Sequence, residues 1–129
     1  MNHIRTIIAA ALLAVAAASC AGVAEGEQPK VLVVLGGDAA QSPALIQRAK
    51  DAVANATGEE VELRVPRTAT EELGVTHMAA ARHYDTIITV DLNARVSVDP
   101  VAERYPTARF VDVPADGDAL VGALAAARS

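Results

Sequence analysis

Cysteine and aromatic residues are the scarcest components of this sequence. The 129 residues include one cysteine, Cys20, two tyrosines, one phenylalanine and no tryptophan. A single cysteine cannot form an intramolecular disulfide, so the fold does not rest on a disulfide framework. With so few aromatic side chains, the core must be built from Val, Leu, Ile and Ala, which bury less area per residue.

Basic residues are outnumbered by acidic ones, and the net charge is −5. This balance argues against a nucleic-acid partner. No Ser/His/Asp, Cys/His or paired-carboxylate arrangement stands out, so we do not expect an enzyme or a cofactor. His77 and His83 are six residues apart, whereas two metal ligands on one helix are usually three or four apart, so we expect no metal site.

The first nineteen residues have the pattern of an export signal. His3 and Arg5 precede an apolar run over 7–18 that is too short to span a bilayer as a mature anchor. The four residues Ala17-Ala18-Ser19-Cys20 then resemble a bacterial lipobox, in which the cysteine is acylated and becomes the mature N-terminus. They depart from it at Ala17, where lipoboxes usually have Leu.

We therefore predict a lipoprotein signal peptide over 1–19, lipidation of Cys20, and a small, acidic, flexible tether over 20–29. Ordinary cleavage after Ala18 or Ala21 is the alternative, and it would leave Cys20 as a stray thiol or delete it. Lipidation is favoured because an unpaired cysteine is awkward in an oxidising compartment. Loss of 1–19 removes Arg5 and no acid, which changes the net charge from −5 to −6, so attachment to the extracytoplasmic side of the cell membrane must depend on the lipid.

The stretch Tyr84–Val113 has the pattern of a strand, a crossover helix and a second strand. The first strand is the β-branched run 86–90, which is typical of a strand covered on both faces. Asp99 and Pro100 are the predicted N-cap and first-turn proline of the helix, and Tyr105-Pro106 ends it. Two parallel strands joined by one helix form a right-handed βαβ unit.

The remainder of the mature chain, 30–129, repeats this alternation as a single α/β domain. The order predicts a three-layer sandwich around a four-stranded parallel sheet in the order 2-1-3-4. Thr68 and Glu71 fit a capping box before a helix whose apolar face is weak, so we expect that helix to be the least stable, or broken. The expected strands are 31–35, 60–65, 86–90 and 109–113. The other expected helices are 43–56, which Gly58 ends, and 69–83. A last helix is capped by Asp116 or Asp118, and its predicted buried residues are Leu120, Val121, Leu124 and Ala127.

The same central stretch carries a family resemblance. Tyr84-Asp85 before an Ile-rich strand, a helix ending in Val101–Pro106, and then Ala108–Val113 resemble the first lobe of the basic membrane protein family of substrate-binding lipoproteins. That family serves ABC transporters, and some members bind purine nucleosides. The resemblance implies a Rossmann-like or flavodoxin-like half lobe of a periplasmic-binding-protein fold, an ABC permease as partner and a nucleoside as ligand.

Candidate ligand-binding residues follow two strands that are neighbours in the predicted sheet. Asp38 lies in the glycine-rich loop after the first strand, and Asp91 and Asn93 follow the third, so all three could line one crevice. The alternatives are a simple strand-to-helix turn at Asp38, and an Asx turn and helix capping at Asp91 and Asn93. In the resembled family, Ser-Phe-Asn follows the first loop. Ser42 matches the serine, but Pro43 and Ala44 replace the aromatic residue and the asparagine, which removes a surface for base stacking.

The length of the chain suggests a second class of function. The resembled proteins close two lobes around a ligand, whereas this chain ends at Ser129 with less than one lobe. A half clamshell cannot enclose a small molecule. A structural or interaction lipoprotein without a small-molecule ligand, with edge strands that favour self-association or a protein partner, is therefore the alternative, and a non-functional gene fragment is a third possibility.

Overall fold

The computed structural model describes residues 30–56 and 60–129. The predicted signal peptide, the tether with Cys20, and Gly58 lie outside these residues. Strands and α-helices alternate along the described chain. The strands are β1 (Lys30–Leu35), β2 (Glu60–Arg64), β3 (Thr86–Val90) and β4 (Phe110–Val113); the helices are α1 (Pro43–Asn55), α2 (Ala69–Ala81), α3 (Asp99–Arg104) and α4 (Gly117–Arg128).

The four strands form one parallel sheet in the order β2-β1-β3-β4, which confirms the predicted topology. All five residues of β3 are buried, as the ungapped β-branched run predicts. Strand β2 alternates exposed and half-buried residues, which is the pattern of an edge strand with one wet face. The sheet is open, with β2 at one edge and β4 at the other.

Two apolar clusters pack on the two faces of the sheet. We call the one beneath α1 and α4 the first cluster and the one beneath α2 and α3 the second cluster. Strand β1 supplies both, because successive side chains of a strand point to opposite faces. Val31, Val33 and Leu35 lie in the first cluster, and Leu32 and Val34 lie in the second.

The start of α3 differs from the prediction. Asp99 is the first residue of the helix and not its N-cap, because a π-helical turn over Ala94–Val98 runs directly into α3 and leaves no free helix start at that point. The cap lies earlier, at Asn93, whose side-chain oxygen accepts a hydrogen bond from the Val96 N–H at 3.3 Å. The helix ends at Arg104, before Tyr105-Pro106, as predicted.

Helix α2 is continuous over thirteen residues, so the expectation of a broken helix is wrong. Thr68 caps it by accepting from the Glu71 N–H at 3.1 Å, while the Glu71 carboxylate accepts from the Arg67 N–H at 2.8 Å. The predicted end at His83 is two residues too late. His83 has a φ of 59°, and the next N–H, of Tyr84, returns to the Ala79 carbonyl at 3.1 Å, which is the left-handed end of a Schellman motif.

Helix α4 begins at an N-cap, Asp116, whose carboxylate accepts from the Asp118 N–H at 3.3 Å. Of the two predicted N-cap residues, Asp116 and Asp118, Asp116 is therefore the one that caps the helix. Leu120 and Leu124 are buried one turn apart, but Val121 is 41% exposed, which contradicts the predicted buried stripe. Val121 lies roughly 100° around the helix from Leu120, and the two leucines already cover the sheet.

Candidate functional site

The carboxyl ends of β1 and β3 form the switch point of this sheet. Helix α1 follows β1 on the face of the first cluster, and α3 follows β3 on the face of the second. In open α/β sheets a ligand binds in the crevice that such a reversal leaves at the strand ends. Three of the four predicted binding residues, Asp38, Asp91 and Asn93, follow these two strands.

The loop after β1 is tied directly to β3. The Gly36 N–H donates to the Val90 carbonyl at 2.9 Å, and the Gly36 carbonyl accepts from the Ala40 N–H at 3.0 Å. A short 3-10 turn over Ala39–Gln41 then leads into α1. No sequence pattern predicts this turn, but it brings the backbone of the first loop against the second.

Asp91 joins the two loops. Its backbone is left-handed, with a φ of 62°, and its carboxylate accepts from the Ala39 N–H at 3.1 Å. A Cβ on Gly37 would lie 2.5 Å from the Asp91 carbonyl oxygen, and Gly37 itself has a φ of 49°. Only glycine fits this approach. The loops are therefore in direct contact, and a ligand at this site would lie on their outer surface, where Gly37, Asp38 and Asp91 are exposed.

Glu72 is a buried carboxylate at this site that sequence reasoning missed. It is 8% exposed, and its Oε1 accepts from the Asn93 N–H and from the Ser97 hydroxyl, each at 3.3 Å. The neighbouring Thr76 hydroxyl donates to the Ser97 carbonyl at 2.6 Å. Glu72 and Thr76 are thus buried on α2 together with Ala79 and Ala80, whereas Leu73 is 37% exposed. The polar pair Glu72 and Thr76 holds the π-helical turn against the helix.

The other three predicted binding residues, Asn93, Ser42 and Asp38, differ in whether their side chains cap a helix or turn. The Asn93 side chain caps the π-helical turn, and the Ser42 hydroxyl accepts from the Leu45 N–H at 3.3 Å as the N-cap of α1. Asp38 precedes the 3-10 turn without a side-chain capping bond and is exposed. Ser42 lines a separate depression with Arg48, Asp116 and Gly117, where Arg48 forms an ion pair with Asp118 at 2.6 Å.

The surface at the strand ends is acidic and polar. The carboxylates of Asp38 and Asp91 and the backbone of Gly37 are available to hydroxyl groups or to a cation, whereas aromatic rings for stacking a base are absent from the loop residues 36–42 and 91–98. In the part of the chain that the structure describes, no three His, Cys, Asp or Glu side chains are grouped as metal ligands. His77 instead packs edge-to-face on Tyr105, with ring centroids 5.2 Å apart.

A larger depression lies on the opposite side of the molecule from β4. It has a volume of about 570 Å³ and runs between the end of β2 and one face of α2. Two arginines, Arg64 and Arg82, flank an apolar floor that includes Val75 and Met78. Nearby, burial raises the pKa of Tyr84 to about 12, with a hydrogen bond to Glu62 and the charge of that carboxylate as further causes.

No family model matches this chain, and no curated protein matches it. The fold is similar to that of a crystallised fragment from Peptoclostridium difficile 630, a protein described provisionally as a lipoprotein. The TM-score is 0.56 and the sequence identity is 16%; the similarity covers 79% of this chain and 100% of that fragment. At this identity the similarity establishes the shared α/β fold. The resemblance to the basic membrane protein family stays a prediction.

Proposed function

We propose that this chain is an exported, lipid-anchored binding module that faces the extracytoplasmic side of a bacterial cell membrane. The observation behind this proposal is the position of Cys20, directly after an apolar segment and ten residues before Lys30, where the first strand begins. The shared fold with a fragment provisionally described as a lipoprotein supports it. No described helix is long and apolar enough to cross a bilayer.

The anchor follows from the chemistry of the cysteine. Thioether attachment of diacylglycerol to the Cys20 sulfur, followed by cleavage before it, gives a new amino terminus that can also be acylated. Each buried methylene contributes about 0.8 kcal/mol, so two or more chains hold a protein at a membrane where a single chain would not. The domain is then attached through the acidic segment 20–29.

Replacement of the cysteine tests the anchor. Cys20→Ala should abolish incorporation of radiolabelled palmitate and either release the protein from the membrane fraction or leave it unprocessed. Ser19→Ala keeps a small residue before the cysteine and should label normally. Wild-type protein that incorporates no lipid and fractionates as soluble would show that the signal is cut elsewhere.

The ligand of such a module would bind at the outer surface of the strand-end loops, and a purine nucleoside is the ligand to test first. Asp38 and Asp91 are exposed there, and carboxylates can accept hydrogen bonds from ribose hydroxyls. Asp38 is the better residue to replace because its side chain makes no capping bond. An ABC permease is the partner that this function would require.

Thermal-shift measurements with adenosine, guanosine and inosine test whether the protein has a nucleoside-binding site. Binding stabilises the folded state by RT ln(1 + [L]/Kd), so the midpoint should rise with nucleoside concentration. Asp38→Asn should reduce this rise, and Asp51→Asn, on the exposed face of α1, should not. An unchanged midpoint at millimolar nucleoside would refute the nucleoside proposal.

The second candidate is an interaction lipoprotein without a small-molecule ligand. The observation that favours it is the contact between the strand-end loops, where Gly37 and Asp91 approach too closely for a ligand to enter between them. In the described part of the chain, no strand pairs with the outer side of β2 or of β4, so both edges are available to further strands. A coil-like circular dichroism spectrum would instead support the third possibility, a gene fragment that does not fold.

A further inference from the structure

Strand β2 has a free edge whose side chains are divided by charge. It pairs with β1 on one side, and in the described part of the chain no strand pairs with its other side. Val61 and Leu63 pack against the first cluster. Glu62 and Arg64 point to the opposite face, where their side chains are 47% and 50% exposed and form an ion pair at 3.7 Å within the strand.

We propose that this edge binds the same edge of a second copy of the chain. The two β2 strands would run antiparallel about a twofold axis through Leu63, and the two sheets would join into one continuous sheet of eight strands. This proposal names the partner for the interaction function above, but it does not depend on lipidation of Cys20.

The register follows from symmetry and charge. A twofold axis perpendicular to the sheet reverses strand direction but keeps each side chain on its own face, so only residues of the same face can lie opposite each other. With the axis at Leu63, Glu62 lies opposite the partner's Arg64 and Val61 lies opposite the partner's Val65. Each Glu62 and each Arg64, already paired within its own strand, then also meets the opposite charge across the two strands on one face of the sheet, while apolar side chains meet on the other. Opposite charges at directly opposite positions stabilise a strand pair.

Neighbouring registers are less complementary in charge. An axis at Glu62 brings Glu60 opposite the partner's Arg64 but places the Glu62 carboxylate opposite its own copy, and an axis at Arg64 places the guanidinium opposite its own copy. Like charges directly opposite each other destabilise a strand pair. The other sheet edge, β4, carries one charged side chain, Asp112, which would face Phe110 or its own copy. Charge complementarity therefore selects the β2 edge.

Among the residues that the structure describes, the β2 edge is also accessible. The depression beside α2 leaves the charged face of β2 open, and the space beyond Gly74 on that helix is empty. The pairing has a defined end, because Pro66 follows Val65 and has no N–H to donate to a partner strand. Five to six residues per strand are thus available, which is an ordinary strand length.

Charge reversal in the full chain tests both the edge and the register. The protein is purified from whichever cell fraction carries it, and its mass is measured by light scattering over a range of concentrations. We expect wild type to dimerise and both Glu62→Arg and Arg64→Glu to weaken the dimer at least about tenfold, because each places like charges opposite. An equimolar mixture of the two variants should recover the dimer, since each like-charged strand then faces its complement.

Arg109→Glu is the matched control, because it makes the same charge change beside β4 and should leave the dimer intact. Circular dichroism spectra establish that each variant folds. If Glu62→Arg does not fold, because Glu62 also accepts a hydrogen bond from Tyr84, the contrast between Arg64→Glu and Arg109→Glu still decides the edge. A monomeric wild type, or a dimer that responds to Arg109→Glu and not to Arg64→Glu, would overturn the proposal.

Discussion

At the scale of single residues, Tyr84 is a buried phenol surrounded by charged side chains. It is 4% exposed, the Lys30 ammonium lies 4.6 Å from the centre of its ring, and its hydroxyl is hydrogen-bonded to Glu62. Burial, then the hydrogen bond and the charge of Glu62, raise its pKa from 10.0 to about 12, against the opposing charges of Arg64 and Arg82. Burial and Glu62 thus favour the neutral phenol, whereas the positive charges of Arg64 and Arg82 favour the phenolate.

This raised pKa predicts a loss of stability in base. Below pH 10 the phenol is protonated in both the folded and the unfolded chain, so it adds no pH dependence. Between pH 10 and about 12 the unfolded chain releases the proton while the folded chain keeps it, and the free energy of unfolding falls as pH rises. Ultraviolet absorbance of tyrosinate measures the titration directly, in a Tyr105→Phe background so that Tyr84 is the remaining tyrosine.

Glu62→Gln is the control for this titration, because it removes the carboxylate charge and should lower the pKa of Tyr84. Titration of the folded protein near 10, with no response to Glu62→Gln, would contradict the assigned environment.

The candidate site shows which residue roles a sequence can reveal. Asp91 and Asn93 were identifiable because acids and amides after strands are visible in the sequence, but the same residue types accept hydrogen bonds from turn N–H groups, and here both do so. Glu72 gave no such signal. Its burial depends on Ser97, which is 25 residues further along and is brought to α2 by a π-helical turn that the sequence does not predict.

At the scale of elements, the strands were predictable and the joints between elements were not. The uninterrupted apolar runs in β1 and β3 predict strands directly, because β-branched and apolar residues without gaps are typical of a strand covered on both faces. The 3-10 turn over Ala39–Gln41 and the π-helical turn over Ala94–Val98 were missed, since they arise where the two loops contact each other. The pair Asp99-Pro100 predicts a cap at Asp99 because Asp-Pro is a common helix start, but the π-helical turn that precedes it moves the cap to Asn93.

Replacement of glycine by alanine should have opposite effects on stability at two positions, Gly74 and Gly37. Gly74 lies inside α2 with open space around it, so Gly74→Ala should stabilise the protein by about 0.5–1 kcal/mol through helix propensity. Gly37→Ala should destabilise it by well over about 1 kcal/mol, because the methyl group would meet the Asp91 carbonyl and φ is positive there. Urea unfolding measures both changes in the free energy of unfolding, when variant and wild type have the same dependence of that free energy on urea concentration.

Gly122→Ala, in α4, is the matched control for the helical site, because its surroundings are equally open. A destabilised Gly74→Ala beside a stabilised Gly122→Ala would mean that α2 needs the space at Gly74, as a partner at that surface would require.

At the scale of the whole molecule, β1 couples the two halves of the core. Its alternate residues enter clusters on opposite faces, and β3 does the same, with Ile88 and Val90 in the first cluster and Ile87 in the second. Both tyrosines, Tyr84 and Tyr105, lie in the second cluster, and the chain has no tryptophan. Tyrosine fluorescence therefore reports on the second cluster alone, whereas far-ultraviolet circular dichroism reports on all helices and strands.

This arrangement predicts that damage to either cluster unfolds the whole domain. Val33→Ala removes two methyl groups from the first cluster and Val34→Ala removes two from the second, and each should cost about 2 kcal/mol, from lost burial and the cavity that remains. Because β1 is common to both clusters, we expect Val33→Ala to lower the urea midpoint measured by tyrosine fluorescence as much as the midpoint measured by circular dichroism. Val34→Ala is the matched control, since it acts on the cluster that contains the tyrosines. A fluorescence midpoint unchanged by Val33→Ala, with a lower midpoint by circular dichroism, would show that the two layers unfold separately and that the single lobe is not one cooperative unit.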